Sequence, residues 1–277
     1  MMGQLAVGLF LSALIGGLGY WRRALSVSGV VGAILVGTAI FGLGGWVWGL
    51  LLVTFFASSS WLSHYRRADK EPLADKFAKG SRRDLGQTLA NGGLGAALAA
   101  AYAGSPDPLL FMAFTGVMAT VNADTWATEL GVLSRVPPRL ITTGEEVAPG
   151  TSGGVTRLGI WASLAGALLI GAMAAALSQV RSLLSGGVWS LQAASYPLLA
   201  VAGGLTGSLF DSLLGATVQT IYFCDRCGKE TESPIHRCGQ VSRPIRGWGW
   251  MNNDGVNVLA SALGGLVAAL LAWLLWR

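Results

Sequence analysis

Long apolar runs alternate along this chain with short connections that are polar and mostly basic. Uncharged stretches cover residues 1–21, 24–65, 85–106, 158–180, 182–210 and 255–276. An α-helix needs about 20 apolar residues to cross a hydrocarbon core, and the 24–65 run is long enough for two crossings. The pattern predicts helices near 3–21, 27–41, 45–63, 86–104, 108–133, 157–178, 192–221 and 254–276. The glycines of "GLGG" at 42–45 predict the break between the second and third. The second is short, and a re-entrant hairpin is the alternative there. The expected fold class is all-α, a polytopic transmembrane bundle of about eight membrane helices. It forms one integral-membrane domain, 1–277, with a small cytoplasmic Cys/His loop at 222–250.

Composition supports this class. Only 12% of the residues are charged, against about 25% in soluble domains. Forty glycines suit helices that approach closely, because a missing Cβ lets two backbones meet. The opening "MMGQ" has no basic residue, and no small-residue cleavage site precedes "YWRR", so the first run reads as a retained helix rather than a cleaved signal. Of the 19 lysines and arginines, 17 fall in the loops after the first, third, fifth and seventh predicted helices. The positive-inside rule then makes those loops cytoplasmic and places both termini outside a cell membrane. The net charge of +5 faces an anionic leaflet and needs no nucleic-acid partner.

Against this background the polar residues inside the runs stand out. "NADTWATELG", residues 122–131, closes an otherwise apolar helix. Asp124 lies about nine residues from the predicted inner end, roughly 13 Å deep at 1.5 Å per residue. Asn122, Thr125 and Glu129 share one helix face, with Asp124 and Thr128 on the adjoining one. Asn and Thr often serve only as interhelical hydrogen-bonding groups, but two carboxylates within a membrane helix are costly and usually functional. "GSLFDSLLGATVQ" places Asp211 at a matching depth in a parallel helix, beside Ser208, Ser212, Gly215 and Gln219. "NNDGVN" puts Asn252, Asn253, Asp254 and Asn257 in the first turn of the last helix, where one cap would need only one of them. "RRDLGQTLANGG" sets Arg83, Gln87 and Asn91 in a descending stripe. The loop "PGTSGGVT" holds Gly150, Thr151, Ser152, Gly153 and Gly154 just ahead of a helix N-terminus. Such backbone can turn N–H groups toward an anion, although Thr156 as an ordinary N-cap is the plainer account.

All of these map to the cytoplasmic third of the bilayer. Carboxylates and amide oxygens are hard ligands that suit Mg²⁺, and arginine with backbone N–H groups suits phosphate. Asp124, Glu129, Asp211 and Asp254 are the candidate Mg²⁺ ligands. Arg83 joins the first three as a candidate catalytic group. Gln87, Asn91, Asn122, the 150–154 loop, Asn253 and Asn257 are candidate substrate contacts. The chemistry indicated is phosphoryl or nucleotidyl transfer to a lipid headgroup. Separately, "CDRCGKETESPIHRC" gathers all three cysteines of the chain with one histidine. Cys224, Cys227, His236 and Cys238 make a complete tetrahedral set for structural Zn²⁺ on a side where disulfides are rare.

The five motifs, in this order, resemble the integral-membrane family that contains plant phytyl-phosphate kinase and animal transmembrane protein 19. The likeness runs from about residue 20 to the C-terminus. It implies a membrane-embedded prenyl-phosphate kinase, converting an isoprenyl monophosphate such as phytyl or geranylgeranyl phosphate to the diphosphate. CTP or another nucleoside triphosphate would be the donor. The site positions it implies are those named above, and the Cys/His insertion departs from the pattern. The alternatives are a lipid-phosphate nucleotidyltransferase and a cation- or proton-coupled transporter or flippase working through Asp124, Glu129 and Asp211. A transporter should carry polar groups through the outer half of the membrane, and here those halves are nearly bare of charge.

Overall fold

A computed structural model of the chain describes residues 2–71, 76 and 82–277. Lys79, one of the basic residues counted above, lies outside them. Among the described residues are eight long helices. They are α1 (Met2–Trp21), α2 (Val27–Ala39), α3 (Trp46–His64), α5 (Leu85–Gly104), α6 (Pro108–Gly131), α7 (Arg157–Leu184), α8 (Tyr196–Thr217) and α9 (Asn253–Leu275). One short turn, α4 (Arg67–Lys70), follows α3. Six of the long helices are long and apolar enough to cross a membrane, and α5 and α6 are not among them. Those two carry the Gln87–Asn91 stripe and the Asn122–Glu129 cluster, whose polar groups dilute the apolar character. The protein is an integral membrane bundle.

Local chemistry sets the helix limits. Ser26, Asp84, Asp107, Thr156 and Asn252 each accept a backbone N–H as N-caps of α2, α5, α6, α7 and α9, the arrangement that satisfies the unpaired donors of a first turn. The predicted break at 42–45 is a π-turn over Ile40–Gly44, ended by Gly45 at a φ of +91°. With that turn the second helix reaches 18 residues, and it has the length and apolarity of a crossing segment. The helix expected over 192–221 is shorter. A 3₁₀ turn occupies Gln192–Ser195, and after Thr217 the chain turns away as the Thr220 N–H donates to the Met251 carbonyl at 2.8 Å.

The helical bundle also carries two small β elements in its loops. The segment between α8 and α9 contains a three-stranded antiparallel sheet in the order β4-β3-β5, made from β3 (Ile221–Cys224), β4 (Lys229–Thr231) and β5 (Arg243–Arg246). A second pair, β1 (Arg139–Leu140) with β2 (Gly154–Val155), closes the loop that holds the glycines.

Helix α6 is the axis of the bundle, buried continuously from Phe114 to Ala123. It packs on α7, α8 and α9 through small residues. A Cβ on Gly116 would lie 2.6 Å from the Cβ of Ala268 on α9, and one on Gly204 of α8 would lie 3.1 Å from the Ala119 carbonyl of α6. The end of the bundle away from the basic loops is filled by rings. Trp48 is wholly buried and stacks on Phe114 with centroids 4.4 Å apart, tilted against Tyr102 and Phe111. Tyr196 links Phe111 to Trp276.

Candidate functional site

At the opposite end the helix termini splay around a cavity of about 860 Å³. Its wall takes the C-terminal turns of α3, α6 and α8, the N-terminal turns of α5, α7 and α9, the glycine loop, and residues 232–237 of the sheet segment. Because α6 ends at Gly131 and α8 at Thr217, Asp124 and Asp211 lie six or seven residues from their helix ends. That is ~10 Å, shallower than the predicted depth.

Nearly all the sequence candidates line this cavity: Arg83, Gln87, Asn91, Asp124, Glu129, Gly150 through Gly154, Asp211, Asn253, Asp254 and Asn257. Asn122 is the exception. It is wholly buried, its Oδ1 accepts from Ser58 at 2.9 Å, and its Nδ2 donates to the Gly166 carbonyl at 2.8 Å. Its amide joins α3, α6 and α7 and is spent on packing.

The other side chains divide into those already engaged and those that face the space. Arg83 donates to Ser60 and Ser59, both at 3.0 Å, and its guanidinium lies 5.7 and 5.6 Å from the rings of Phe55 and Phe56. Gln87 closes a capping box with Asp84, each side chain accepting the other's backbone N–H at 2.9 and 3.2 Å. Glu129 accepts from Ser63 at 2.6 Å and pairs with Lys70 at 2.6 Å, so both its oxygens are held by neighbours. This departs from its expected place among the Mg²⁺ ligands. The pair is only 13% and 22% exposed. Glu129→Gln and Lys70→Met are each expected to destabilise the protein by ~1–3 kcal/mol. The double variant Lys70→Met/Glu129→Gln should lose less than their sum in denaturant midpoints measured in detergent, and strictly additive losses would remove the coupling.

Asp124, Asp211, Asp254 and Glu232 are among the other carboxylates of the wall. Asp124, Asp211 and Glu232 lie close enough for each aspartate to feel the others' charge. Asp211 Oδ2 is buried without a hydrogen-bond partner among the described residues. A buried carboxylate oxygen needs a donor or a cation, and several hard oxygens around one space fit Mg²⁺.

Glu232 is a further acidic residue of the wall, and its place within the Cys/His segment gives no sign of it in the sequence. It follows β4 directly and accepts from Gln219 Nε2 at 2.9 Å, while Gln219 Oε1 accepts from Ser152 at 3.0 Å. Arg246 of β5 donates to the carbonyls of Ser152 and Ala216, both at 3.1 Å. The glycine loop is thereby tied to the end of α8 and to the sheet. Arg67, Lys70, Arg82 and Arg237 also line the cavity. Besides setting the topology, they bring positive charge to the wall that holds the carboxylates.

The side chains of Cys224, Cys227, His236 and Cys238 bring their ligand atoms within 4.8 Å of one another. The Cys238 thiol, hydrogen-bonded to His236, is held down to about 6, whereas its hydrogen bond with Cys238 pushes the Cys227 thiol up to about 11.

A narrow apolar slot of about 60 Å³ lies beside the polar cavity, between α1, α2, α3 and α5. Its wall includes Ile15, Ala33, Val36, Leu52 and Phe56, and it shares Arg83, Gln87 and Asn91 with the polar cavity. Polar and apolar compartments therefore meet at one stripe of side chains.

Comparison with known proteins agrees with this architecture. The model of the integral membrane protein DUF92 family matches residues 10–265. The chain belongs to that family. It is 35% identical over 274 residues to Protein PGR of Arabidopsis thaliana, covering 94% of this chain and 93% of that protein. It is 30% identical over 250 residues to an uncharacterized membrane protein of Methanocaldococcus jannaschii, covering 90% and 86%. Protein VTE6, chloroplastic, of Arabidopsis thaliana is 26% identical over 254 residues, covering 89% of this chain and 65% of that protein. No solved structure matches the chain.

Proposed function

We propose that this DUF92 member is a membrane-embedded kinase that transfers a phosphoryl group from a nucleoside triphosphate to an isoprenyl monophosphate, giving the diphosphate. The observation that carries the reading is the junction at Arg83, Gln87 and Asn91, the side chains that an apolar slot and a large polar cavity share as wall. A substrate with a hydrocarbon tail and an anionic head matches both compartments at once. The family resemblance in the motifs points the same way. The basic loops favour a cavity facing the cytoplasm, where nucleotide is available.

Asp124 and Asp211 would hold Mg²⁺, with Asp254 and Glu232 beside them, and the ion supplies charge neutralisation across the nucleotide phosphates. Arg67, Arg82 and Arg237 give the triphosphate its counter-charge. The lipid's phosphate oxygen, already ionised, attacks the γ-phosphorus. A P–O bond forms there as the β,γ-bridging P–O bond breaks, and the nucleoside diphosphate leaves with the electron pair. No general base is required. The ring-filled far end of the bundle supports a one-sided pocket over a transport route.

The test uses purified protein in detergent with Mg²⁺, phytyl or geranylgeranyl monophosphate, and CTP or ATP labelled at the γ-phosphate. Label in a prenyl diphosphate supports the kinase. Label entering lipid only from α-labelled nucleotide would replace it with nucleotidyl transfer, and no transfer of either label would overturn both. Blocking the slot supplies a second check. Ala33→Phe is expected to raise KM for geranylgeranyl phosphate by ~10-fold or more and to spare a five-carbon monophosphate, because each buried CH₂ contributes ~0.8 kcal/mol. Equal effects on long and short chains would remove the tail from the slot.

A further inference from the structure

The segment between α8 and α9 folds around four side chains that arrive on two turns of similar build. In Cys224–Gly228 the Gly228 N–H donates to the Cys224 carbonyl at 2.8 Å, with Gly228 at a φ of +63°. In His236–Gly239 the Gly239 N–H donates to the His236 carbonyl at 2.8 Å, with Gly239 at +83°. Each turn offers two ligands, and a glycine in the left-handed region follows the second of each pair. The sulfurs of Cys224 and Cys238 are 3.7 Å apart, and His236 Nδ1 is 3.2 Å from the Cys238 sulfur. Zn–S bonds of about 2.3 Å in a tetrahedron set two sulfurs about 3.8 Å apart. His236 is 4% exposed, a position where an imidazole needs a partner.

We propose that Cys224, Cys227, His236 and Cys238 bind one zinc ion, and that the sheet built on this ion braces the glycine loop and presents Glu232 to the cavity. The path is short. Glu232 leaves the end of β4, five residues after Cys227, and reaches Ser152 through Gln219. Arg246 of β5 holds the Ser152 carbonyl from the other side. Two strands of the sheet thus grip one residue of the glycine loop. So small a sheet buries too little apolar surface to hold its shape alone, and binding energy at the metal becomes folding energy for the segment. The bracing does not depend on which reaction the cavity performs.

The test begins with the metal content of full-length protein purified in detergent without chelators, where about one zinc per chain is expected. Cys227→Ser should retain less than about a tenth of that. Hydrogen–deuterium exchange then reads the brace. Stripping zinc from the wild-type protein with a chelator should raise exchange about tenfold in residues 221–246 and also in residues 148–154, and zinc re-addition should reverse both. Glu232→Ala, which removes the acceptor for Gln219, should keep its zinc and loosen residues 148–154 alone. Protein that contains no zinc overturns the site. Zinc that can be removed and restored without a change at residues 148–154 overturns the brace. Stripping and restoring wild-type protein keeps the test valid even if Cys227→Ser fails to fold.

Discussion

Asp211→Asn is expected to abolish turnover while leaving the protein folded, and Asp124→Asn to do the same. Both carboxylates sit in the cavity wall on neighbouring helices and feel each other's charge and that of Glu232. Removing one of these negative charges weakens the site's hold on a divalent cation and relieves repulsion in its absence. The two effects have opposite signs and can be read apart. In Mg²⁺-free buffer the variants should unfold at a temperature equal to or above that of the wild type. Saturating Mg²⁺ should stabilise the wild type, by about 2.7 kcal/mol at a hundredfold excess over Kd, and the variants far less. Turnover should fall by ~10²–10³ or more, the loss typical when a group that stabilises developing charge is removed. Wild-type activity in both folded variants would sink the metal assignment. Equal stabilisation of all three proteins by Mg²⁺ would place the ion elsewhere.

The membrane architecture was legible because a hydrocarbon solvent permits few alternatives. Every uncharged run of sufficient length had to become a helix, and the polar residues within them had to face inward. Depth and direction then brought Asp124, Asp211 and Asp254 to one end, and the cavity wall contains all three. What periodicity lacks is the identity of the neighbour. Asn122, Thr125 and Glu129 lie on one face by spacing, yet that face meets different surroundings along its length. Asn122 meets Ser58 and the Gly166 carbonyl, and Glu129 meets Ser63 and Lys70. Asn122, expected as a substrate contact, and Glu129, expected as a Mg²⁺ ligand, are thus engaged by protein partners. Glu232 was hidden for the opposite reason. It comes from outside the membrane runs, and only the fold of the Cys/His segment returns it to the cavity. The apolar slot was also invisible, since it is a gap between α1, α2, α3 and α5 rather than a property of any of them.

Gly264→Val is expected to cost both stability and activity, because the carboxylates converge only while three helices touch. The contact lies about one turn below Asp124 and about two turns below Asp211. Thr120 of α6 donates to the Gly116 carbonyl at 2.9 Å and to the Gly203 carbonyl of α8 at 3.3 Å. A Cβ on Gly264 of α9 would overlap the Thr120 hydroxyl, and one on Gly203 would overlap the Gly264 carbonyl. All of these atoms belong to backbone or to a wholly buried side chain, so no flexible group can move aside. Overpacking of this kind typically costs ~1–3 kcal/mol. The functional loss should exceed what that figure suggests, since a shift of about 1 Å in a catalytic group can lower the rate ~10²-fold. Gly17→Val is the matched control. Gly17 lies on an exposed face of α1, and a Cβ there meets nothing within 4 Å. Gly17→Val should keep wild-type stability and turnover. Gly264→Val should unfold earlier in detergent and lose most of its Mg²⁺-dependent turnover even where it remains folded. Wild-type behaviour in Gly264→Val would mean that α6, α8 and α9 stand farther apart than this crossing requires, and the convergence of Asp124 with Asp211 would lose its structural basis.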